Sequence, residues 1–153
     1  MPDLVLYQPD IPQNTGTLLR LAACLDKTVH LIEPAGFVLS DKGMKRAGMD
    51  YLAQAALVRH RSHEQFDAWR RETGRRIVLL TTKSDRFYTD FEFQSDDLLL
   101  LGRESLGVPD DVHDAADARI TIPMRPDTRS LNVAIAGAIV LAEALRQTKG
   151  FPN

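Results

Sequence analysis

The stretch Ile120-Thr121-Ile122-Pro123-Met124-Arg125-Pro126-Asp127-Thr128-Arg129-Ser130-Leu131-Asn132 sets the terms for the whole chain. It opens as a short β-branched strand, turns through prolines and polar residues, and enters the longest uncharged apolar run, Leu131 to Ala142. A strand that gives way to a helix in this manner is the repeating unit of α/β folds. The first turn of a helix leaves backbone N–H groups without partners, so Ser130 and Asn132 gather hydrogen-bonding groups at one junction. That junction is a candidate ligand site. The helix behind it, read from Leu131 to Arg146, is apolar almost all round, which predicts burial on every side. Gly137 and the alanines beside it suit close packing against another helix, in the core or across a dimer interface.

Working outward, the same alternation recurs. Leu4-Val5-Leu6-Tyr7, Thr28 to Ile32, a brief Leu57-Val58, Ile77 to Thr82 and Leu98 to Leu101 read as buried strands. Between them, helices are predicted from Asn14 to Leu25, from Ser40 to Gly48 and from Ser62 to Gly74, with a short acidic helix or turn over Asp110 to Ala118. The expected fold is one α/β domain over residues 1–153, with a mostly parallel sheet flanked by helices. Ligands of such sheets lie at the carboxyl ends of the strands. The loops after Leu80, Leu101 and Ile122 are therefore the ones that matter.

Bulk properties narrow the function classes. At 153 residues with a net charge of -2, the chain has no global attraction to nucleic acid, so such binding needs a local patch. Its single cysteine, Cys24, excludes an internal disulfide framework and suits a reducing cytoplasm. The longest apolar run falls short of the ~20 residues that span a bilayer, and no signal-like segment opens the chain. Neither a G-x-G-x-x-G after the first strand nor a P-loop occurs, which disfavours a dinucleotide dehydrogenase. His30, His60, His63 and His113 make no zinc spacing with Cys24; no metal is expected, and His60 and His63 read as surface residues. Ser105 lacks the flanking pattern of a nucleophile elbow.

Two loop motifs stand out. Gly102-x-Glu104-x-x-Gly107 places glycines just past a buried strand, where backbone can approach a ligand, although a tight turn with a solvated glutamate reads equally well. Asn14-Thr15-Gly16 with Arg20 reads either as a capped helix bearing one exposed arginine or as part of a site. The clusters Lys42/Lys45/Arg46, Arg59/Arg61 and Arg70/Arg71/Arg75/Arg76 read individually as solvated faces, yet together leave room for a phosphate-binding surface.

In order and spacing, Asn14-Thr15-Gly16 with Arg20, then Gly102-x-Glu104-x-x-Gly107, then Ile122-Pro123-Met124 with Ser130-Leu131-Asn132, resemble the three motifs of the SPOUT methyltransferases. The likeness is closest to the compact TrmL-like branch, which methylates the ribose 2′-hydroxyl of the tRNA wobble nucleotide. It extends from Leu4 to Arg146 and includes Ile32-Glu33-Pro34 and Arg46-Ala47-Gly48. The resemblance implies a C-terminal trefoil knot, a homodimer, a tRNA anticodon loop as partner and S-adenosylmethionine as methyl donor, with no appended RNA-binding domain. It assigns the donor to Leu80, Thr81, Gly102, Glu104, Gly107, Ile122, Met124, Ser130 and Leu131, and the reaction to Arg20, Asn14, Glu104, Ser130 and Asn132. Ala134 departs from the pattern, since many relatives carry serine there.

Within that resemblance Arg20 is the group that activates the hydroxyl. An arginine side chain stays charged at physiological pH, so binding a phosphate and stabilising a developing alkoxide suits it better than acting as the base. Solvent or another group then takes the proton. Candidate RNA contacts are Arg20, Lys42, Arg46, Arg125 and Arg129. Two alternatives remain: a module that binds S-adenosylmethionine without transferring methyl, and an enzyme of the same superfamily acting on ribosomal RNA or another tRNA nucleotide.

Overall fold

The computed structural model describes residues 1–38 and 56–153. The predicted helix from Ser40 to Gly48, with Lys42, Lys45 and Arg46, lies outside the described residues. The elements are β1 (Asp3–Tyr7), α1 (Pro12–Leu25), β2 (Thr28–Ile32), β3 (Ala56–His60), α2 (His63–Thr73), β4 (Ile77–Leu80), a 3-10 turn (Tyr88–Asp90), β5 (Leu98–Leu101), α3 (Asp110–Ala115), β6 (Ala118–Ile120) and α4 (Val133–Thr148). The strands form a six-stranded sheet in the order β3-β2-β1-β5-β4-β6. Every pairing in it is parallel. The expected α/β class and mostly parallel sheet are what the chain adopts.

Successive side chains of a strand point to opposite faces, and the sheet uses both. Leu4, Leu6, Leu99, Leu101, Val78 and Ile120 pack with Leu18, Leu19 and Ala22 of α1 and Val140, Leu141, Ala144 and Leu145 of α4. Val5, Tyr7, Leu98, Leu100, Ile77 and Leu79 face the other way, against Phe66 of α2 and Val112 of α3. Gly137 lets α4 sit close: a Cβ there would come within 2.9 Å of Leu101 and 3.0 Å of Leu18. Its close packing is therefore internal to the core. Burial on every side of this helix is not what occurs, because Ile135 is 54 % exposed and Ala142 is also exposed. Among the described residues, no helix is long and apolar enough to cross a membrane.

Several boundaries shift for physical reasons. β4 ends at Leu80, although Thr81 N–H still donates to Ile120 C=O at 2.9 Å. β6 covers only Ala118–Ile120, and Thr121 adds one isolated bridge to Phe87. α4 begins at Val133 rather than Leu131, since Asn132 is its cap and Ser130 lies outside it. The predicted stop at Gly74 is observed, in the left-handed conformation at φ 70°.

Charged residues read as solvated prove structural. Arg75 donates to Asp3 at 2.9 Å. Arg76 grips Asp97 with both ends of its guanidinium, at 2.8 and 2.7 Å, and Asp97 is 0 % exposed. The same carboxylate accepts from Gln94 N–H at 2.8 Å. His60 is not a surface residue either: it is buried, with its Nε2 3.0 Å from Nδ1 of buried His30 and Trp69 against both rings. Burial lowers the pKa of His60. Burial first, and then the neighbouring His60, lower that of His30 to about 4.

Removing one partner of a buried ion pair strands the other. Asp97→Ala is expected to cost about 3–5 kcal/mol, measured as a lower midpoint in chemical denaturation.

Candidate active site

The C-terminal ends of β4, β5 and β6 open into a cavity of about 540 Å³, a size in the range of small-molecule sites. Each strand sends its loop to one wall. Leu80 and Thr81 come from the first loop, Gly102, Glu104 and Gly107 from the second, and Ile122, Met124, Ser130 and Leu131 from the third. Asn14 of α1 and Asn132, the cap of α4, complete the polar end. The structure thus brings together all the sequence-predicted site residues except one. Arg20 is not a lining residue; it stands exposed on α1, about 9 Å along the axis from Asn14 at 1.5 Å per residue.

Two features of the second loop explain its glycines. Arg103 and Gly107 exchange backbone hydrogen bonds at 3.0 and 2.9 Å, closing the loop on itself. A Cβ on Gly102 would lie 2.8 Å from the backbone of Gly107, and Gly107 itself has φ +63°. The Gly102 side of the loop tolerates no side chain. Arg103 locks the closure, its Nε donating to Gly107 C=O at 2.8 Å and its guanidinium lying 5.4 Å from the Tyr7 ring centroid.

A directed chain of hydrogen bonds joins the loops. Asn132 Oδ1 accepts from the N–H groups of Ala134 and Ile135 at 2.8 and 3.2 Å, which fixes its oxygen toward the helix. Its Nδ2 therefore donates outward, to Asn14 Oδ1 at 3.0 Å. Asn14 in turn has only Nδ2 left to offer Glu104 Oε1, at 3.4 Å. Asn14 does not cap α1, since the cap position is Ile11 and Pro12 follows. Its side chain instead serves the site.

The carboxyl at the end of this chain is unusual. Glu104 Oε2 also accepts from Asp10 N–H at 2.9 Å. Burial raises the pKa of Glu104, and a side-chain hydrogen bond with the Asp10 carboxyl raises it further. Asp10 is held below the ordinary range by that bond to Glu104 and by the Ser105 hydroxyl, which donates to it. Sequence reasoning missed Asp10, whose only signal was its place between Pro9 and Pro12 just before the Asn14 motif. It also missed Lys83 and His113 in the cavity wall, for which no motif existed.

The profile of the SpoU rRNA methylase family matches residues 2–142. The chain belongs to the SpoU methylase family. A tRNA (cytidine(34)-2′-O)-methyltransferase of Beijerinckia indica is 65 % identical to this SpoU chain over 144 residues, covering 94 % of the chain and 90 % of the relative. A structure from work on 2′-hydroxyl methylation of C/U34 on tRNA superposes with a TM-score of 0.89 at 40 % identity, covering 96 % of this SpoU chain and 95 % of the other. An rRNA methyltransferase of Sinorhizobium meliloti, solved with S-adenosylmethionine bound, gives a TM-score of 0.84 at 28 % identity, over 95 % of this chain but 56 % of the other.

Because the contact at Gly102 is backbone to backbone, Gly102→Ala is expected to lower stability by about 1–3 kcal/mol. A thermal or denaturant unfolding curve that matches the unsubstituted protein would refute this account of the loop.

Proposed function

We propose that the chain transfers the methyl group of S-adenosylmethionine to the ribose 2′-hydroxyl of nucleotide 34, a cytidine or uridine, of tRNA. The observation that carries this is likeness to a protein named for that activity, 65 % identical over 94 % of the chain. The cavity supports it. Its volume, its three backbone-rich loop walls and the Gly102–Gly107 close approach fit a nucleoside with a polar tail. Leu80, Thr81, Gly102, Gly107, Ile122, Met124 and Leu131 would hold the donor, whose contribution is a methyl group on a cationic sulfur. Ser130 and Asn132 would orient its polar end.

The chain's own part is alignment and proton handling. Alignment of reacting groups supplies up to about 7–11 kcal/mol of barrier reduction. Asn14, Glu104 and Asn132 form a rigid frame for it, held from two helix starts. Arg20, on the same helix as Asn14 but outside the cavity lining, would bind a phosphate and stabilise the charge developing on the ribose oxygen. Arg125 and Arg129 are exposed in the loop leading to α4 and suit contacts to the anticodon-loop backbone. The trefoil knot belongs to this reading through the family likeness, and so does a cytoplasmic site of action on tRNA.

A homodimer is part of the same proposal. Ile135 on the outer side of α4 is exposed, as are Leu131, just before that helix, and Ile11, both in the cavity lining. A second copy there would cover apolar surface and bring further basic side chains to the site. Ile135→Glu is expected to convert a dimer to a monomer in light scattering after size exclusion; a monomeric unsubstituted protein sinks the dimer.

The activity itself is tested by incubating the protein with labelled S-adenosylmethionine and unmodified total tRNA, then mapping 2′-O-methyl groups. Label is expected at nucleotide 34. Absence of label in tRNA, with label in ribosomal RNA, would move the substrate to the other branch of the family.

A further inference from the structure

We propose that Glu104 is the group that takes the proton from the ribose 2′-hydroxyl, and that Asp10 is the positioning residue that fits it for this task. The inference rests on the methyl-transfer reading above. It starts from geometry: Glu104 is a half-buried carboxyl in the cavity wall, at the end occupied by Asn14, Ser130 and Asn132. Both of its oxygens are oriented by donors, Asn14 Nδ2 on one and Asp10 N–H on the other. Each carboxylate oxygen has a second lone pair, so a hydroxyl can still be met.

Asp10 is where three loops converge. Its N–H holds Glu104, and its carboxylate receives the hydroxyl of Ser105, the next residue along. From behind, Gly36 leaves no room: a Cβ there would lie 2.8 Å from Asp10 Cβ, and Gly36 N–H donates to Pro9 C=O at 2.8 Å. The remaining carboxylate oxygen, Oδ1, is buried with no hydrogen-bond partner. A buried acceptor left open in this way carries a desolvation cost, which a proton-bearing neighbour relieves. Glu104, held on Asp10 N–H, is the adjoining carboxyl, and the pair moves apart in proton affinity, Asp10 downward and Glu104 upward.

The step balances. The ribose oxygen bonds the methyl carbon as the carbon–sulfur bond breaks, and that bonding pair stays on sulfur. The O–H pair stays on the ribose oxygen, and its proton passes to the Glu104 carboxylate and from there to solvent. One positive and one negative charge disappear together. A carboxylate whose proton affinity is raised, first by burial and then by the Asp10 carboxyl, is a better acceptor than an ordinary glutamate.

The rate should therefore fall as pH drops through the Glu104 titration. Replacing Asp10 by asparagine removes the like charge, lowers the Glu104 pKa and moves the acid limb to lower pH. The experiment combines single-turnover methyl transfer to tRNA across pH with a carbon-13 NMR titration of the glutamate carboxyls. The Glu104 resonance is identified by its loss in Glu104→Gln, and unfolding curves establish that each variant is folded. Expected are coincident midpoints for rate and titration in the unsubstituted protein, a shared downward shift in Asp10→Asn, and a loss of about 100-fold or more in Glu104→Gln. Label in tRNA with separated midpoints, with an unmoved Glu104 titration in Asp10→Asn, or with Glu104→Gln within about threefold of normal, overturns this step alone. No label in tRNA from the unsubstituted protein overturns the methyl-transfer reading, and this step with it.

Discussion

The burial of β5 on both faces is the constraint on which the rest depends. Leu98 to Leu101 pair with β1 on one side and β4 on the other, and none is more than 2 % exposed. Alternate leucines fill the two cores, so both helix layers are anchored to the same four residues. A strand so enclosed can exchange polar groups with a ligand only where it ends. The end falls at Gly102, and the close approach to Gly107 there makes the loop a fixed wall. Gly137, packed on Leu101, carries the same constraint into α4 and so sets where Asn132 must stand.

Polar order at the site follows from that placement. The orphan N–H groups of α4 fix one amide, which fixes the next, which leaves a single sense for the contact with Glu104. No charge is needed to transmit orientation along this chain. Charge enters at its far end, where Asp10 and Glu104 face each other under partial burial and their proton affinities separate, one lowered and one raised. Two carboxyls of different proton affinity in one site are a usual arrangement for moving a proton. Elsewhere the protein uses charge for cohesion, as in the Arg76–Asp97 and Arg75–Asp3 pairs that tie together the N-terminal ends of β4, β5 and β1.

Much of this was legible beforehand, and the failures have physical causes. Strands showed as apolar runs because a two-sided parallel sheet buries every residue, and Gly74 announced the end of α2. The outer side of α4 was misjudged, since an apolar helix surface looks the same in sequence whether a core or solvent lies against it. His60 was misjudged for the converse reason: a histidine carries no sign of burial until Trp69 and His30 are seen packed around it. Arg75 and Arg76 read as a basic run because their acidic partners, Asp3 and Asp97, are distant in sequence.

The sequence by itself determined the α/β class, the three loops and about half of the residues that line the cavity. These depend on local pattern: apolar runs, glycines and helix starts each act over a few residues. Only the tertiary structure decided which polar groups meet. Asn14, Glu104 and Asn132 lie far apart along the chain, and Asp10 joined them unannounced, because hydrogen-bond partnership is settled by strand order. In the order β3-β2-β1-β5-β4-β6, β1 and β5 are neighbours, so the loop after one necessarily lies against the loop after the other. That adjacency turns a tight turn with an apparently solvated glutamate into a half-buried carboxyl in the cavity wall, held by the backbone of Asp10.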